Sequence, residues 1–476
     1  MSERASLGFY DTVVDRTLGK LRNVWREIAT STRGVLSGTA RPDLPEDDAQ
    51  RLRQQMQSCL DGSGGEVSAR ARAAELGRTY LGLNRAGRER FLHVMAEEFD
   101  IDRAAVDRWC ARLAAAKTPG ERSPAERGLR AALTGPRVRL LRQFNALPEG
   151  VKFLVDRREE LIALAKGDAV LHGLAEDLRE LLADWFDIGF LELKRISWED
   201  SPAALLEKLI AYEAVHEIRG WTDLKNRLEA DRRCFAFFHP RMPDEPLIFV
   251  EVALVNGMAG NIHALLDESA PLGDPNAADA AIFYSISNCQ RGLNGISFGD
   301  FLIKRVVEVL AAELPRLKTF STLSPVPGFR AWLAREGQRP DLLLPPEAKA
   351  VAAVVGNGAA PDLAQLLDRP GWHDNPELGA ALHDPLLRLC AQYLVLEKGR
   401  GGRAADPVAH FHLTNGARVE RLNWLGDTSE KGLQQSAGIM VNYLYRLDHI
   451  ETNHEAYRGE GKVAASSAVR HLLRNR

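Results

Sequence analysis

The sequence lacks the features that mark membrane and exported proteins. No apolar run in its 476 residues approaches the length of a membrane span. The first residues, MSERASLGFYDTVVDR, mix acids with bases and have no apolar core, which argues against a secretory signal and weakens a transit peptide. The last residues, HLLRNR, do not form the Ser-Lys-Leu signal of peroxisomal proteins. We therefore expect a cytoplasmic protein with no membrane partner.

The sequence also has few cysteines and a small net charge. Five dispersed cysteines include no Cys-x-x-Cys pair, a pattern typical of reduced thiols and not of a zinc site. The net charge of −3 provides no bulk attraction for nucleic acid. An anionic ligand would therefore have to be bound by local geometry. We predict no metal and no nucleic-acid partner.

Helical periodicity dominates residues 1–198, where strand patterns are nearly absent. Ala169–Trp185 (AVLHGLAEDLRELLADW) is the clearest amphipathic helix. No reactive cluster of side chains occurs in this half. We predict an all-helical domain over 1–198 that acts as a scaffold or an oligomerisation module.

Strands and helices are mixed from residue 199 to residue 476. The run LIFVEVALV, Leu247–Val255, is rich in β-branched residues and is the best strand candidate. Ala280–Ser287 predicts another strand, and a helix is expected over Asp300–Leu314. Pro385 predicts a break in a helical stretch. The fold class predicted is α+β, with a mixed sheet wrapped by helices.

A β-hairpin is predicted near the C-terminal end of the chain. Asn415-Gly416 lies between two alternating runs, PVAHFHLT and ARVERLNWL, which is a strong hairpin signal. Strand alternation would place His410 and His412 on one face. Asp427-Thr-Ser-Glu resembles a capping box and predicts a helix that continues to about Leu447.

A glycine-rich loop, QRGLNGISFG, separates the strand that ends near Gln290 from the helix expected at Asp300. Glycines let a backbone approach a ligand, and a helix N-terminus favours an anion. Arg291, Lys304 and Arg305 add local positive charge. The loop has no Gly-Lys-Ser/Thr of a Walker A motif. A turn that is glycine-rich for structural reasons explains it equally well.

Ser324 and His412 have side chains suited to catalysis. Ser324 precedes Pro325, which stiffens the backbone, but the surrounding residues lack the Gly-x-Ser-x-Gly nucleophile elbow. Taken alone, Ser324 is most simply a helix-capping residue. His410 and His412 have no third or fourth metal ligand at a recognised spacing, so one histidine acting as acid or base is favoured. Further groups in and around the last predicted helix could line a site, although the tyrosines equally fit a core: Asp427, Glu430, Asn442, Tyr443 and Tyr445.

Longer strings carry a more specific resemblance. The glycine loop partly resembles the pyrophosphate-binding signature of GNAT acyltransferases, with Gln290 and Gly295 in place but Leu293 at the first glycine position. Four strings together resemble the malonyl-CoA decarboxylase family over most of the C-terminal half. They are HPRMPDEPLIFVEVALV, AIFYSISNCQRGLNGISFGDFLIKRVV, FSTLSPVPGFRAWL and FHLTNGARVERLNWLGDTSEKGLQQSAGIMVNYLY.

This resemblance implies an N-terminal helical domain that forms a homo-oligomer, a dimer or tetramer, and a GNAT-like catalytic domain over 199–476. It places the family's catalytic serine and histidine on Ser324 and His412. The residues that it and the loop pattern suggest for substrate binding are Gln290, Asn294, Gly295, Ile296, Ser297, Phe298, Gly299, Asp300, Asn442 and Tyr443. Ser297 is a departure, because some members of the family have glutamate there.

The activity implied is that of a carboxy-lyase, which converts malonyl-CoA to acetyl-CoA and carbon dioxide. A thioester enolate would form and would be protonated by the histidine. No cofactor is expected, because coenzyme A is part of the substrate. The alternatives are a GNAT-type acyltransferase that uses acyl-CoA and a non-catalytic acyl-CoA sensor. A Ser-His hydrolase is less favoured because the nucleophile elbow is absent.

Overall fold

The structure is a computed structural model, which describes residues 21–30, 40–61, 65–296, 302–336, 342–356 and 362–474. A helical region comes first, and a mixed sheet surrounded by helices follows it, in agreement with the predicted fold class. Among the described residues, no helix combines the length and apolar character needed to cross a bilayer. All five cysteines are free thiols.

Nine helices are described in the helical region. They are α1 (21–30), α2 (Glu46–Leu60), α3 (Glu66–Gly82), α4 (Arg85–Glu98), α5 (Arg103–Ala115), α6 (Pro119–Ala132), α7 (Pro136–Phe144), α8 (Gly150–Leu164) and α9 (Ala169–Trp185). Polar N-caps start several of them, and Asp168 at the start of α9 accepts from the amides of Val170 and Leu171. Helix α9 has the limits that its periodicity predicted.

The helical region has a core centred on Trp25, whose side chain is fully buried. The Trp25 ring meets Phe153 edge-on at 4.9 Å, and its Nε1 donates to the carbonyl of Pro148 at 2.9 Å. Burial of an aromatic ring of this size contributes about 1.5–3 kcal/mol or more to stability, provided that its N–H finds a partner, as it does here.

The sheet has eight strands. They are β1 (Glu192–Ile196), β2 (Arg232–His239), β3 (Met242–Val255), β4 (Ala280–Asn288), β5 (Thr319–Thr322), β6 (Ser324–Pro325), β7 (Arg418–Asn423) and β8 (Met440–Tyr445). Their order is β1-β2-β3-β4-β5-β8-β6, and β7 also pairs with β8. Strand β1 lies before residue 198, so the sheet begins within the range that the sequence assigned to the helical half; the boundary at 198 stays a prediction.

Strands β4 and β5 run parallel and then separate. Their ladder extends from Ala280 opposite Thr319 to Phe283 opposite Thr322, whereas β4 continues to Asn288 without β5 beside it. After β5 the chain bends into β6, which pairs with β8. Strand β6 ends at Pro325, which has no amide proton to donate to a further strand pairing. The sheet therefore opens a gap between the end of β4 and β6.

Twelve further helices are described, which lie between the strands of the sheet or follow them in the chain. They are α10 (Ala203–Tyr212), α11 (Trp221–Arg227), α12 (Ile262–Leu265), α13 (Leu302–Glu313), α14 (Phe329–Glu336), α15 (Pro345–Val355), α16 (Leu363–Leu367), α17 (Pro376–Val395), α18 (Pro407–Thr414), α19 (Glu430–Ser436), α20 (Ile450–Glu460) and α21 (Ser467–Leu472). The predicted break at Pro385 is wrong, since α17 continues through it with Leu382 and Leu386 fully buried on either side.

The predicted hairpin at Asn415-Gly416 is also wrong. Its first strand is the helix α18, which contains both histidines, and only β7 is extended. Asn415 caps the C-terminus of α18, and Gly416 adopts φ +81°, a conformation that favours glycine. The Asn-Gly pair therefore marks a helix end followed by a strand, and His410 and His412 do not share one strand face.

The last predicted helix is shorter than expected. Ser429 caps α19 by accepting from the amide of Gly432, but the helix ends at Ser436. Ala437 and Gly438 both have positive φ, which stops the helix, and the β-branched and aromatic residues that follow form β8. Asn442 and Tyr443 therefore lie on the strand beside β5 and β6, and not in the last predicted helix.

Candidate active site

Ser324 lies at the point where β5 bends into β6. Its side chain is 6% exposed, and its hydroxyl donates to Oγ1 of Thr322 at 2.9 Å. The amide of Tyr443 also donates to that Thr322 oxygen, at 3.1 Å. The bend before Pro325 thus fixes the serine hydroxyl at the gap in the sheet.

Helix α18 brings His412 to the same place. Asp406 caps it by accepting from the amides of Val408 and Ala409 at 3.0 Å, and Pro407 occupies the first helical position. The other carboxylate oxygen of Asp406 accepts from the amide of Gly328 at 3.2 Å. Because Gly328 belongs to the segment after Ser324, one buried carboxylate joins that segment to the helix that carries His412.

Ser324 and His412 lie side by side, although 88 residues separate them in the chain. Nε2 of His412 is 3.2 Å from Oγ of Ser324. On the far side of the ring, Nδ1 is 2.8 Å from the hydroxyl of Tyr445 on β8. The predicted convergence of the serine and the histidine is therefore confirmed. Tyr445, one of the candidates from the sequence, and Thr322, which was not, extend the pair to a continuous chain of hydrogen-bonding groups.

The imidazole of His412 is held in an apolar environment. Its side chain is buried, and its ring stacks on the ring of Tyr443 with centroids 4.6 Å apart. Burial lowers the pKa of His412 to about 3, because the charged form cannot be solvated there. Burial also raises the pKa of Tyr445. Both groups are therefore uncharged near neutral pH.

Ser324 and His412 form part of the wall of a cavity of about 250 Å³. The other lining residues come from β4, β6, α18 and the loop before α11: Val215, Phe283, Tyr284, Ile286, Asn288, Pro325, Pro407, Val408 and Phe411. Pockets that hold a drug-sized ligand usually occupy about 300–1,000 Å³, so this cavity suits a small acyl group and not a whole nucleotide-containing thioester. Asn288 ends β4, and the glycine loop begins two residues later, at Gln290.

Three other candidate residues have their side chains engaged within the fold. Nε2 of Gln290 donates to the carbonyl of Pro246 at 2.9 Å. Nδ2 of Asn442 donates to the carbonyls of Ala259 and Thr322. Tyr443 is fully buried under His412, and its hydroxyl has no hydrogen-bond partner among the described residues. Their assignment to substrate binding stays a prediction.

The described part of the glycine loop covers residues 290–296. It contains a 3-10 turn, Arg291–Leu293, followed by Asn294, Gly295 with φ +77°, and Ile296. The candidates Ser297, Phe298, Gly299 and Asp300 lie outside the described residues, and so does the expected start of the helix at Asp300. Gly292 is needed for close packing, since a Cβ there would lie 1.8 Å from the carbonyl oxygen of Val155. This close approach is to helix α8 and not to a ligand.

A second, larger cleft of about 900 Å³ adjoins the cavity through Val215, which lines both. Its charged lining consists of five carboxylates and three cations: Glu217, Asp223, Asp267, Glu268, Asp427, Arg219, Arg227 and Lys431. Arg227 is already paired with Asp223, at 2.8 Å, and Lys431 with the carbonyls of Ala214 and Val215. An excess of acid disfavours phosphate groups, so this cleft is a poor match for the nucleotide part of a coenzyme A thioester.

Two family models match the chain. The one described as the malonyl-CoA decarboxylase C-terminal domain matches residues 189–476, and the one described as the N-terminal domain matches residues 99–186. The first alone covers more than half of the sequence. The chain belongs to the malonyl-CoA decarboxylase family.

Individual members of the family are similar over most of their length. The mitochondrial malonyl-CoA decarboxylase of Rattus norvegicus is 37% identical over 471 residues, covering 93% of this chain and 91% of the relative. That of Anser anser anser is 39% identical over 420 residues, covering 84% and 83%. The crystal structure of malonyl-CoA decarboxylase from Rhodopseudomonas palustris has a TM-score of 0.81 at 44% identity and covers 89% of this chain and 99% of that one. The structure from Agrobacterium vitis gives 0.80 at 44% identity, with the same coverage.

Within this malonyl-CoA decarboxylase fold, some contributing residues were not singled out from the sequence. Thr322 lies two residues before Ser324, a spacing that a strand pattern makes visible. Asp406 precedes Pro407, which is a helix-start signal. Arg158 of α8, whose Nη1 donates to the carbonyls of Gly292 and Asn294, has no local signal at all.

Proposed function

We propose that this protein is a malonyl-CoA decarboxylase that releases carbon dioxide from malonyl-CoA and leaves acetyl-CoA. The observation that carries the proposal is the buried contact of Ser324 with His412 at a small cavity, in a chain of this family. The thioester carbonyl is itself an electron acceptor, so no separate cofactor enters the proposal. Coenzyme A is part of the substrate.

The apolar walls of the cavity favour loss of the carboxylate. Ile286, Val408 and Phe411 would surround a malonyl head bound beside Ser324. A carboxylate concentrates its charge, whereas the transition state spreads that charge over the thioester, so exclusion of water disfavours the substrate more than the transition state. The bond between the α-carbon and the carboxylate breaks, carbon dioxide leaves, and the electron pair becomes that of the enolate.

His412 supplies the proton that completes the reaction. Because burial keeps the ring neutral, the donor is a neutral imidazole N–H or the Ser324 hydroxyl beside it, and not an imidazolium. The α-carbon of a thioester enolate is basic enough to take that proton. Solvent restores the proton afterwards, so that one proton is consumed for each acetyl-CoA formed. Ser324 orients the ring and bonds the departing carboxylate.

The gap between the end of β4 and β6 indicates where the rest of the substrate would lie. The cavity is bounded by the end of β4, and the glycine loop follows β4 directly. A thioester whose head reaches Ser324 would leave the cavity past Asn288 toward that loop. Its phosphates would then meet the loop instead of the acidic cleft beyond Val215.

Incubation of the purified protein with malonyl-CoA and no acceptor tests the function. We expect stoichiometric acetyl-CoA and carbon dioxide, measured by chromatography and by gas release. Consumption of acetyl-CoA only when an amine is added would indicate an acyltransferase instead. Release of malonate and free coenzyme A would indicate a hydrolase, and binding without turnover would indicate a sensor.

A homo-oligomer is the finer part of the proposal, and the helical region supports it. Helices α5 and α6 pack against each other as a hairpin. In α5, all of whose residues are described, none is buried, and Ala125 is the one buried residue of α6. A second copy of the chain would cover this hairpin. Light scattering tests it, with a monomer mass as the contrary result. The cytoplasmic location stays a prediction.

A further inference from the structure

Helix α8 of the helical region supports the glycine loop of the catalytic region. Nη1 of Arg158 donates to the carbonyl of Gly292 at 2.5 Å and to that of Asn294 at 2.9 Å. The carbonyl of Val155 occupies the space that a side chain on Gly292 would need. Residues 155 and 158 are three apart on the helix, so they present the same face to the loop.

Arg158 is a buried cation without a carboxylate partner among the described residues. It is 4% exposed, and its Nε has no hydrogen-bond partner there. Burial lowers its pKa, but a guanidinium stays charged at neutral pH. Glu176 acts on Arg158 over a longer range and is itself paired with Arg179 at 2.7 Å. Much of the positive charge under the loop is therefore not neutralised by direct contact.

Burying such a charge beneath two carbonyls costs free energy that simple packing would not require. A buried charge is normally paired, and an apolar side chain would fill the same space without desolvation. The arrangement has a benefit if an anion binds on the other side of the loop. The carbonyls of Gly292 and Asn294 would be turned toward Arg158, and away from that anion.

We propose that Arg158 is a positioning residue for the acyl-CoA substrate. It holds the backbone of residues 292–294 in one shape and provides positive charge under the loop, which favours the phosphate groups of coenzyme A on the opposite side. Substrate affinity then depends on a residue of the helical region. The inference rests on the proposed function, since it takes the phosphates to be those of the decarboxylase substrate.

Arg157 offers a matched control on the same helix. It is buried as well, but its guanidinium pairs with Glu160 at 3.1 Å and lies over the ring of Tyr80 at 5.0 Å, within the helical region. Replacing Arg157 removes a buried arginine without touching the loop. A difference between the two positions therefore separates support of the loop from general stability of the helix.

The test compares Arg158→Met, Arg158→Lys and Arg157→Met in the full chain. KM and kcat for malonyl-CoA are measured, together with the Kd of free coenzyme A by calorimetry and the melting temperature. For Arg158→Met we expect KM and Kd to rise about 10- to 100-fold with kcat within about 3-fold of wild type, since uniform binding is lost. Arg158→Lys keeps the charge but cannot donate to both carbonyls in the same geometry. Its KM and Kd should therefore lie between those of the wild type and those of Arg158→Met. Arg157→Met should keep the wild-type KM and Kd.

An unchanged KM and Kd in Arg158→Met would overturn the inference. Equal losses in the Arg158 and Arg157 variants, in step with their melting temperatures, would overturn it too, because they would indicate a purely structural role. If Arg158→Met does not fold, the Kd of coenzyme A for Arg158→Lys tests the inference instead. Absence of malonyl-CoA turnover in the wild type would refute the proposed function instead, and the coenzyme A binding comparison would still test Arg158.

Discussion

Nδ1 of His412 lies 2.8 Å from the hydroxyl of Tyr445, and both groups are buried. A hydrogen bond to one ring nitrogen decides what the other can do. If Tyr445 donates to Nδ1, Nε2 carries the proton and faces Ser324 as a donor. If Nδ1 donates to Tyr445, Nε2 is an acceptor, and the Ser324 hydroxyl must turn from Thr322 to donate to it. Tyr445 thus controls whether the pair presents a proton or takes one up.

Removal of the Tyr445 hydroxyl should reduce turnover without loss of substrate affinity. In Tyr445→Phe the ring remains, but the tautomer of His412 is no longer fixed, and we expect kcat to fall about 10-fold or more, since a well-placed acid contributes roughly 10²–10⁴-fold. KM should change little. The control is Tyr457→Phe, which removes the hydroxyl 2.7 Å from Nδ1 of His410. Equal kcat in wild type and Tyr445→Phe would contradict this role.

Ser324 and His412 should behave as one unit. We expect Ser324→Ala and His412→Ala each to lower kcat by about 10²–10⁴-fold with modest change in KM. The double variant should be little worse than the poorer single variant, because each change disables the same proton transfer. His410→Ala, two residues away and directed to Tyr457, serves as the control. Effects that multiply in the double variant would show that the two residues act independently.

The central strands of the sheet were predictable, because β3 and β4 are long runs rich in apolar and β-branched residues. Leu247–Val255 and Ala280–Ser287 lie within β3 and β4. Helix α18 differs from the predicted strand because Ala409–Thr414 alternate apolar and polar residues like a strand, and so short a run cannot separate the two periods. The sequence also contains Asp406-Pro407, residue types typical of a helix N-cap and first helical position, and the structure uses them in that way.

The site itself was only partly accessible to sequence reasoning. Ser324 and His412 came from the resemblance, and their contact required the fold. Arg158 lies 134 residues before Gly292, so no local pattern connects them. Gln290 is a second example: its role in substrate binding stays a prediction, but its side-chain amide donates to the carbonyl of Pro246, 44 residues earlier, which no local pattern indicates. Long-range partners of buried polar groups are fixed by packing, which a pattern of residue types does not encode.

The burial of neutral His412 should make the protein sensitive to acid. Its folded pKa is about 3, below the unfolded value of roughly 6.5, so the unfolded chain binds the extra proton between these limits. The stabilisation is complete above about pH 6.5 and is lost as the pH falls toward 3. Urea unfolding from pH 6.5 to 4 should show a slope smaller by about 1.4 kcal/mol per pH unit in His412→Gln than in wild type. If the free energy of unfolding has the same pH dependence in His412→Gln and in the wild type, the burial of a neutral His412 ring is refuted.

Asp406 should link stability to turnover, because its carboxylate holds both sides of the reacting pair. Asp406→Ala removes the cap of α18, which costs about 1–2 kcal/mol, and leaves the buried amide of Gly328 unpaired, which adds about 1–3 kcal/mol. We expect kcat to fall as well, because His412 and the segment after Ser324 lose their common anchor. Denaturant unfolding and steady-state kinetics measure the two effects.

The control for Asp406 is Asp168, which caps α9 with the same two kinds of bond, to the amides of Val170 and Leu171. It lies in the helical region, away from the cavity. Asp168→Ala should lower stability less and leave kcat at the wild-type value, since no site residue depends on that helix end. A wild-type kcat in folded Asp406→Ala would mean that packing alone sets the Ser324–His412 distance. A common loss of kcat in both variants would mean that turnover follows global stability and not this carboxylate.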